Sequence, residues 1–227
     1  MVPGPGGGFD VLAAAYENDR PEVRALVPPR PRRVLDVGCS SGALGAALKA
    51  DGAGTVVGLE RDPAYVAIAR ERLDAVHAVD LDADVPLPEE PFDVIVCADV
   101  LEHLRDPEAV LARLVRALAP GGTVVVSLPN VRHWETFWQL GVRGTFPRRS
   151  MGIFDRTHLR WFTLADAYGL CAAAGLEVVE VRRVLRPRPT GPSDGRLVRL
   201  LARGPGRTFL TFQHVLAARR TGEAPAS

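Results

Sequence analysis

Apolar residues in this chain follow two periods, and the change from one to the other repeats along the sequence. The runs RRVLDVG, TVVGLE, AVHAVD and FDVIVCADV place apolar side chains at consecutive positions, the pattern of strands buried on both faces. They predict strands over 34–37, up to Glu60, up to about Asp80 and over 92–100. Between them the spacing becomes that of an amphipathic helix. It covers residues 41–50, then Val66, Ile68, Ala69 and Leu73, then Val110, Leu111, Leu114, Val115 and Leu118. Asp62 before Pro63 and Asp106 before Pro107 mark two helix starts. A short acceptor side chain caps the free N–H groups there, and proline's fixed φ suits the first helical position. Gly121 and Gly122 are expected to end the third of these helices, ahead of a fifth strand in TVVVSLPN. Strand-then-helix units repeated in this way predict a parallel sheet covered by helices on both faces, joined by right-handed crossovers.

Both ends of the chain depart from that rhythm. Residues 1–9 are Gly/Pro-rich and are expected to form a mobile tail. Residues 10–27 read as a leading helix with Val11, Leu12, Ala15, Val23 and Leu26 on its apolar side and a break at Pro21. After Asn130 the pattern stops for about 30 residues, and 131–162 forms an aromatic, basic, glycine-punctuated insertion. Thr163 with Asp166 three positions later reads as a capping box, opening a helix that ends at Gly175. LEVVEVRRV is a sixth strand and TFLTFQHVLAAR a seventh. Between them a basic loop over 186–207 encloses a short amphipathic helix at about 197–201. Residues 10–227 are expected to form a single domain.

Composition narrows the class. The chain has 227 residues, of which 24% are charged and 47% hydrophobic, as in ordinary globular proteins. At this length roughly 70% of the unfolded surface can be buried, so no staple is needed. Cys39, Cys97 and Cys171 are odd in number, far apart and without a C-x-x-C pair, which argues against a disulfide framework or a zinc site. No apolar run approaches the ~20 residues of a membrane span, and the N-terminus lacks the basic and apolar regions of a signal peptide. A reducing cytoplasm is the expected location. The net charge of +1 conceals an asymmetry: residues 1–130 carry 12 basic and 20 acidic side chains, net −8, and residues 131–227 carry 16 and 7, net +9. The two halves are expected to face different ligands.

Open α/β sheets bind ligands at the carboxyl ends of their strands. Here the loop after the first strand reads VLDVGCSSGALG, residues 34–45, and Gly38 and Gly42 let the backbone turn and approach a ligand closely. Dinucleotide-binding loops receive an anionic pyrophosphate, which Asp36, two residues before the first glycine, would repel. A cationic ligand would be welcome. Glu60 and Asp80 end the next two strands, where a carboxylate suits ribose hydroxyls and an adenine edge respectively. The local alternative at each position is a loop cap at Asp36 and solvated strand ends at Glu60 and Asp80.

Three carboxylates at successive strand tips, with VLDVGCSSG, VVGLERDP, AVDLDADVPLPEEPFDVIVCADVLEHLRDP and LAPGGTVVVSLPN, resemble the class I S-adenosylmethionine-dependent methyltransferases. The likeness runs from Tyr16 through the seventh strand; Ser40 stands where the family more often has a third glycine. It implies a three-layer, Rossmann-like α/β fold with a seven-stranded, mostly parallel sheet whose last strand is antiparallel. It also implies S-adenosylmethionine as cofactor. Asp36, Gly38 and Gly42 would border its methionine portion, Glu60 the ribose, and Asp80 with Leu81 the adenine. Asp99 and His103 would lie near the sulfonium, and Tyr16 and Arg20 would fold over the cofactor as a lid.

Methyl transfer is an in-line displacement that needs alignment, exclusion of water and, for a hydroxyl acceptor, removal of a proton. His133 in PNVRHW and His158 in DRTHLRWFT are the candidate bases, with Asn130, Asp155 and Arg156 on the acceptor. The alternative is that Asp155, His158 and Arg160 form a hydrogen-bonded clamp. Trp134, Phe137, Trp138, Phe146, Phe154, Trp161 and Phe162 are expected to form the small core of the insertion, or in part to stack on an acceptor. No pair or triad shows metal spacing, so no catalytic metal is expected. The insertion resembles those of methyltransferases found with glycan and natural-product biosynthesis. This implies O-methylation of a small hydroxylated acceptor such as a sugar, glycan intermediate or natural product, anionic or carrier-linked given the arginines. RNA, DNA or protein methylation is the alternative, as is a non-catalytic partner subunit. The chain lacks the N/D-P-P-Y/F motif of base amino-group methylation, and no stable nucleic-acid partner is expected. Membrane contact would be at most peripheral, and the oligomeric state is open.

Overall fold

The computed structural model describes residues 19–83, 86, 88, 91–185, 204 and 206–222. Tyr16, the tail, most of the leading helix and the helix expected at 197–201 lie outside them. The elements run α1 (Pro21–Arg24), β1 (Arg33–Val37), α2 (Ala43–Ala50), β2 (Thr55–Glu60), α3 (Pro63–Ala69) and β3 (Ala75–Ala78). They continue with β4 (Phe92–Ala98), a 3-10 turn (Leu101–His103), α4 (Pro107–Arg116) and β5 (Leu118–Pro129). After α5 (Trp134–Phe137) and a wide turn (Trp138–Val142) come α6 (Leu164–Ala173), β6 (Leu176–Leu185), α7 (Arg207–Leu210) and β7 (Thr211–Arg220).

The seven strands form one sheet in the order β3-β2-β1-β4-β5-β7-β6. β1 pairs in parallel with β2 and β4, β2 with β3, and β4 with β5. β7 runs antiparallel between β5 and β6. The order reverses between β1 and β4, so the carboxyl ends of those strands diverge there and open a crevice, the usual ligand position in such sheets. Because helices cover both faces, the central strands are apolar throughout: Val34, Leu35, Val94, Ile95, Val96 and Cys97 have no exposed surface. One core joins Leu35, Ile95 and Val126 to Leu111, Leu114 and Leu170 of α4 and α6. The other joins Val34, Val56 and Val94 to Leu44, Leu48 and Val66 of α2 and α3. Two cores on opposite faces of one sheet make three layers.

The helix starts follow the local chemistry of the sequence. Asp62 accepts the Ala64 N–H at 2.8 Å and Asp106 the Ala109 N–H at 2.9 Å, each with proline next. Thr163 and Asp166 make the reciprocal capping box of α6. The glycine pair 121–122 behaves differently from the helix stop expected of it. α4 ends at Arg116, and Gly121 and Gly122 lie inside β5, where the pairing with β4 shifts register between Phe92 and Val94. The insertion leaves the sheet at Asn130 and returns through a bridge from Asn130 to Phe162, with the Val131 N–H on the Phe162 carbonyl.

The aromatic residues do not form one core within the insertion. Phe154 and Phe162 are buried, whereas Trp134, Phe137, Trp138, Phe146 and Trp161 are each more than two-fifths exposed. The segment is too short to surround seven rings, and its α5 lies on the surface. Phe146 stands edge-on to both Phe154 and Trp161, with centroids 5.2 and 5.5 Å apart.

Candidate active site

The carboxyl ends of β1 to β4 enclose a cavity of about 470 Å³. Gly38 and Ser40 from the first loop, Glu60 from β2, Asp80 and Leu81 after β3, and Asp99 and His103 after β4 form its wall, with Thr157 and Leu159 from the insertion. Asp62 and Asp82 join Glu60, Asp80 and Asp99 there, which gives a wall rich in carboxylates and suited to a cation.

The first loop is shaped by backbone bonds that only certain residues allow. Gly38 has φ +68°, its N–H donates to the Leu59 carbonyl at 2.8 Å, and a Cβ on it would meet Val100 Cγ2 at 2.8 Å. A side chain at Gly38 is therefore blocked by Val100, which lines the cavity beside it. Ser40 also has positive φ; its N–H donates to Glu60 Oε2 at 2.9 Å, and its hydroxyl is buried without a partner. The other Glu60 oxygen accepts the Arg61 and Asp62 N–H groups at 2.7 and 2.8 Å. Three backbone donors thus fix the Glu60 carboxylate at the cavity and leave it room for a further donor. Asp80 Oδ1 accepts the Asp82 N–H at 3.1 Å, and Arg113 of α4 reaches back to the Leu81 carbonyl at 2.7 Å.

Two residues expected at the cofactor stand one layer back. Asp36 is 1% exposed and is absent from the cavity wall; it faces the Gly45 N–H of α2, and its second oxygen has no partner. Burial pushes its carboxyl up to about 7, with the charge of Glu60 adding to the shift. Gly42 is the residue before α2, and a Cβ there would meet Ala69 and Leu73 at 3.2–3.3 Å. It permits helix packing rather than ligand approach.

Asp99 sits at φ +56°, a strained conformation for a side-chain-bearing residue, and its surroundings hold it there. Its carboxylate accepts hydrogen bonds from Arg20, from Gln213 and, at 3.1 Å, from the Ser127 hydroxyl. Arg20 also donates to Ser127 Oγ at 3.0 Å and to Glu22 at 2.6 Å. Burial alone would lower the Arg20 pKa, but the Asp99 and Glu22 carboxylates overcome it and raise the value. Arg20 is thus a strut behind Asp99, not a free lid.

Behind His103 lies a buried polar cluster. Glu102 is 1% exposed, and neither carboxylate oxygen has a hydrogen-bond partner. Burial, then the neighbouring Asp99 charge, pushes its pKa well up. His158 Nε2 lies 3.9 Å from Glu102 Oε1, and the His158 ring stands edge-on to His103 with centroids 4.7 Å apart. Burial and His103 lower the His158 pKa. His158 is therefore beside the site, one residue behind the wall that Thr157 and Leu159 line, and its ring faces Glu102.

The remaining expected residues are engaged elsewhere. The Asn130 amide donates to the carbonyls of Thr208 and Thr211 and accepts the Arg132 N–H, so a fully buried side chain is committed to chain crossing and not to an acceptor. His133 is 4% exposed; its Nδ1 caps α5 by accepting the Glu135 N–H, and its ring packs on Phe212. Asp155 accepts from the backbone and hydroxyl of Thr157 at 2.8 and 2.6 Å. Arg156 turns to the Arg149 carbonyl. None of these four lines the cavity. Ser127, Gln213, Glu102 and Thr157 all lie within segments that carry the sequence reading, in SLPN, FQH, VLEH and DRTH, but none of them is among the residues it names for the site.

A family model described as a methyltransferase domain matches residues 14–181. A probable S-adenosylmethionine-dependent methyltransferase of Mycolicibacterium smegmatis is 34% identical over 73% of this chain and 60% of its own length. A ubiquinone biosynthesis O-methyltransferase of Pseudomonas aeruginosa is 38% identical over 44% of this chain and 45% of its own. A trans-aconitate 2-methyltransferase of Methylobacterium nodulans is 32% identical over 74% and 68%. The chain thus spans between about half and two thirds of these relatives. A methyltransferase structure from Mesorhizobium loti matches with TM-score 0.62 at 20% identity, over 92% of this chain and all of that one. A magnesium protoporphyrin IX methyltransferase from Synechocystis, bound to S-adenosylhomocysteine, matches with TM-score 0.60 at 17% identity, over 97% and 90%.

The fold is that of a Rossmann-like methyltransferase. This chain belongs to the S-adenosylmethionine-dependent methyltransferases of class I. Gly38, without a side chain at the cavity wall, and the buried Ser40 hydroxyl, without a hydrogen-bond partner, are compatible with that cofactor. Glu60, Asp80, Leu81 and Asp99 lie on one wall of the cavity.

Proposed function

We propose that the protein transfers the methyl group of S-adenosylmethionine to an oxygen of a small hydroxylated acceptor in the cytoplasm. One observation carries the reading: five carboxylates and Gly38 share a single cavity at the sheet's switch point. The cofactor supplies an electrophilic methyl on a positively charged sulfur. The chain's part is to bind and align. Glu60 accepts hydroxyl donors while three backbone N–H groups hold it still. Asp99, anchored by Arg20, Ser127 and Gln213, presents fixed negative charge beside the cation.

The relatives named for ubiquinone biosynthesis O-methylation and for trans-aconitate methylation support a small-molecule acceptor. The arginines of the insertion, Arg132, Arg143, Arg148 and Arg156, support an anionic or carrier-linked one. Three buried free thiols suit a reducing compartment, and no helix among the described residues is long and apolar enough to cross a membrane. The test is transfer of labelled methyl to a panel of sugars, phenols, organic acids and their phosphorylated forms. Label in an ether or ester product supports the reading. Label only in amine-bearing acceptors, RNA or protein would replace it.

A further inference from the structure

Glu102, His103 and His158 each bring one ligand atom to within 4.8 Å of the other two. The histidines are already oriented as metal ligands are, with one ring nitrogen fixed from outside. The Ile153 carbonyl, 3.3 Å from His158 Nδ1, can only accept, so Nδ1 carries the proton and the Nε2 lone pair is left facing Glu102 Oε1 at 3.9 Å. Thr157 Oγ1 donates to Asp155 at 2.6 Å, so at His103 Nδ1, 3.0 Å away, it accepts. Outer hydrogen bonds of this kind set the tautomer of metal-bound imidazoles. Between a buried carboxyl group without a hydrogen-bond partner and an imidazole lone pair there is a place for a cation.

We propose that Glu102, His103 and His158 bind one divalent first-row transition cation, with an open coordination position toward the cavity that His103 lines. Two imidazoles and one carboxylate select zinc, cobalt, iron or manganese over calcium. A tetrahedral ion with bonds of about 2.1 Å separates its ligands by roughly 3.4 Å, so a small contraction of the cluster suffices. The buried, unpartnered Glu102 supplies the strongest pointer, since a plain structural carboxylate this deep would be hydrogen-bonded. The ion's role rests on the O-methylation reading. At the open position it would take the acceptor hydroxyl, whose proton is then lost to water at neutral pH. The oxygen lone pair forms the new O–C bond as the S–C bond breaks, and the sulfur keeps that electron pair in S-adenosylhomocysteine. A separate protein base becomes unnecessary.

Binding can be tested without an acceptor, so its failure is distinct from failure of the O-methylation reading. Full-length protein stripped with a chelator is titrated calorimetrically with Zn²⁺ and by visible spectroscopy with Co²⁺. One equivalent is expected to bind, and a Co²⁺ spectrum of low coordination number should appear. Glu102→Gln and His158→Gln should each weaken binding on the order of 100-fold, and Thr157→Val, which frees His103, roughly tenfold. Retained S-adenosylhomocysteine binding shows that a variant is folded. X-ray absorption of the zinc-loaded wild-type protein needs no variant and should show two imidazole scatterers. No stoichiometric binding by folded wild-type protein overturns the proposal. So does binding that the two ligand variants leave unchanged, or zinc bound by sulfur.

Discussion

Arg20 and Asp99, 79 positions apart in the sequence, form an ion pair directly behind the cavity wall. Both have positive φ, so each is held in a backbone conformation it would not choose alone. Removing the guanidinium leaves Asp99 to Ser127 and Gln213 and frees the strained turn. Arg20→Ala is expected to cost about 1–3 kcal/mol of stability. It should also weaken S-adenosylhomocysteine about tenfold, because Asp99 is no longer fixed. Urea denaturation and calorimetry on the same preparation check both.

Gly38 and Gly144 share positive φ but differ in what surrounds them. A Cβ at Gly38 meets Val100 at 2.8 Å beside the cavity, whereas one at Gly144 meets nothing within 4 Å. Gly38→Ala is expected to lose cofactor binding and about 2–3 kcal/mol from strain plus overpacking. Gly144→Ala should cost only about 1 kcal/mol from backbone strain. It should leave cofactor affinity unchanged in the same titration.

Two buried groups give stability opposite pH slopes. His214 on β7 is 2% exposed with both ring nitrogens unpartnered, and burial, then the nearby Arg183 charge, lowers its pKa to about 4. Its unfolded form takes up a proton first, so its contribution is present above about 6.5 and is lost as pH falls toward 4. Asp36 runs the other way. With its folded pKa raised to about 7, its contribution is present below about 3.8 and is lost as pH rises through 7. Relative to wild type, His214→Leu should gain up to roughly 3 kcal/mol between pH 6.5 and 4. Asp36→Asn should gain on the order of 4 kcal/mol between pH 4 and 7. Denaturation midpoints across that range give the two difference curves; a flat curve for either variant would refute its assignment.

What could be read in advance was local chemistry. Asp62, Asp106 and Thr163 cap helices because each side chain bonds a backbone two or three positions on, and that relation is written in adjacent letters. Strand-tip carboxylates at Glu60 and Asp80 reached the cavity for a related reason, since a strand end is also a loop start. Which way a side chain turns is not local. Asp36 was placed at the right strand tip but faces α2, and Asn130 is saturated by carbonyls 78 and 81 residues away. Glu102 and His158 meet across 56 positions, so no short spacing announced them. The glycine pair 121–122 misled because the same two residues serve a helix stop and a strand irregularity.

The central claim is that the cavity at β1 to β4 holds S-adenosylmethionine, and a calorimetric and thermal titration with S-adenosylhomocysteine beside NAD tests it most directly. At 100 times its dissociation constant, S-adenosylhomocysteine should stabilise wild-type protein by about 2.7 kcal/mol. NAD should have no effect, and Glu60→Ala should lose the response while remaining folded. Folded wild-type protein that ignores S-adenosylhomocysteine, or a Glu60→Ala variant that binds it as tightly as wild type, would contradict the account.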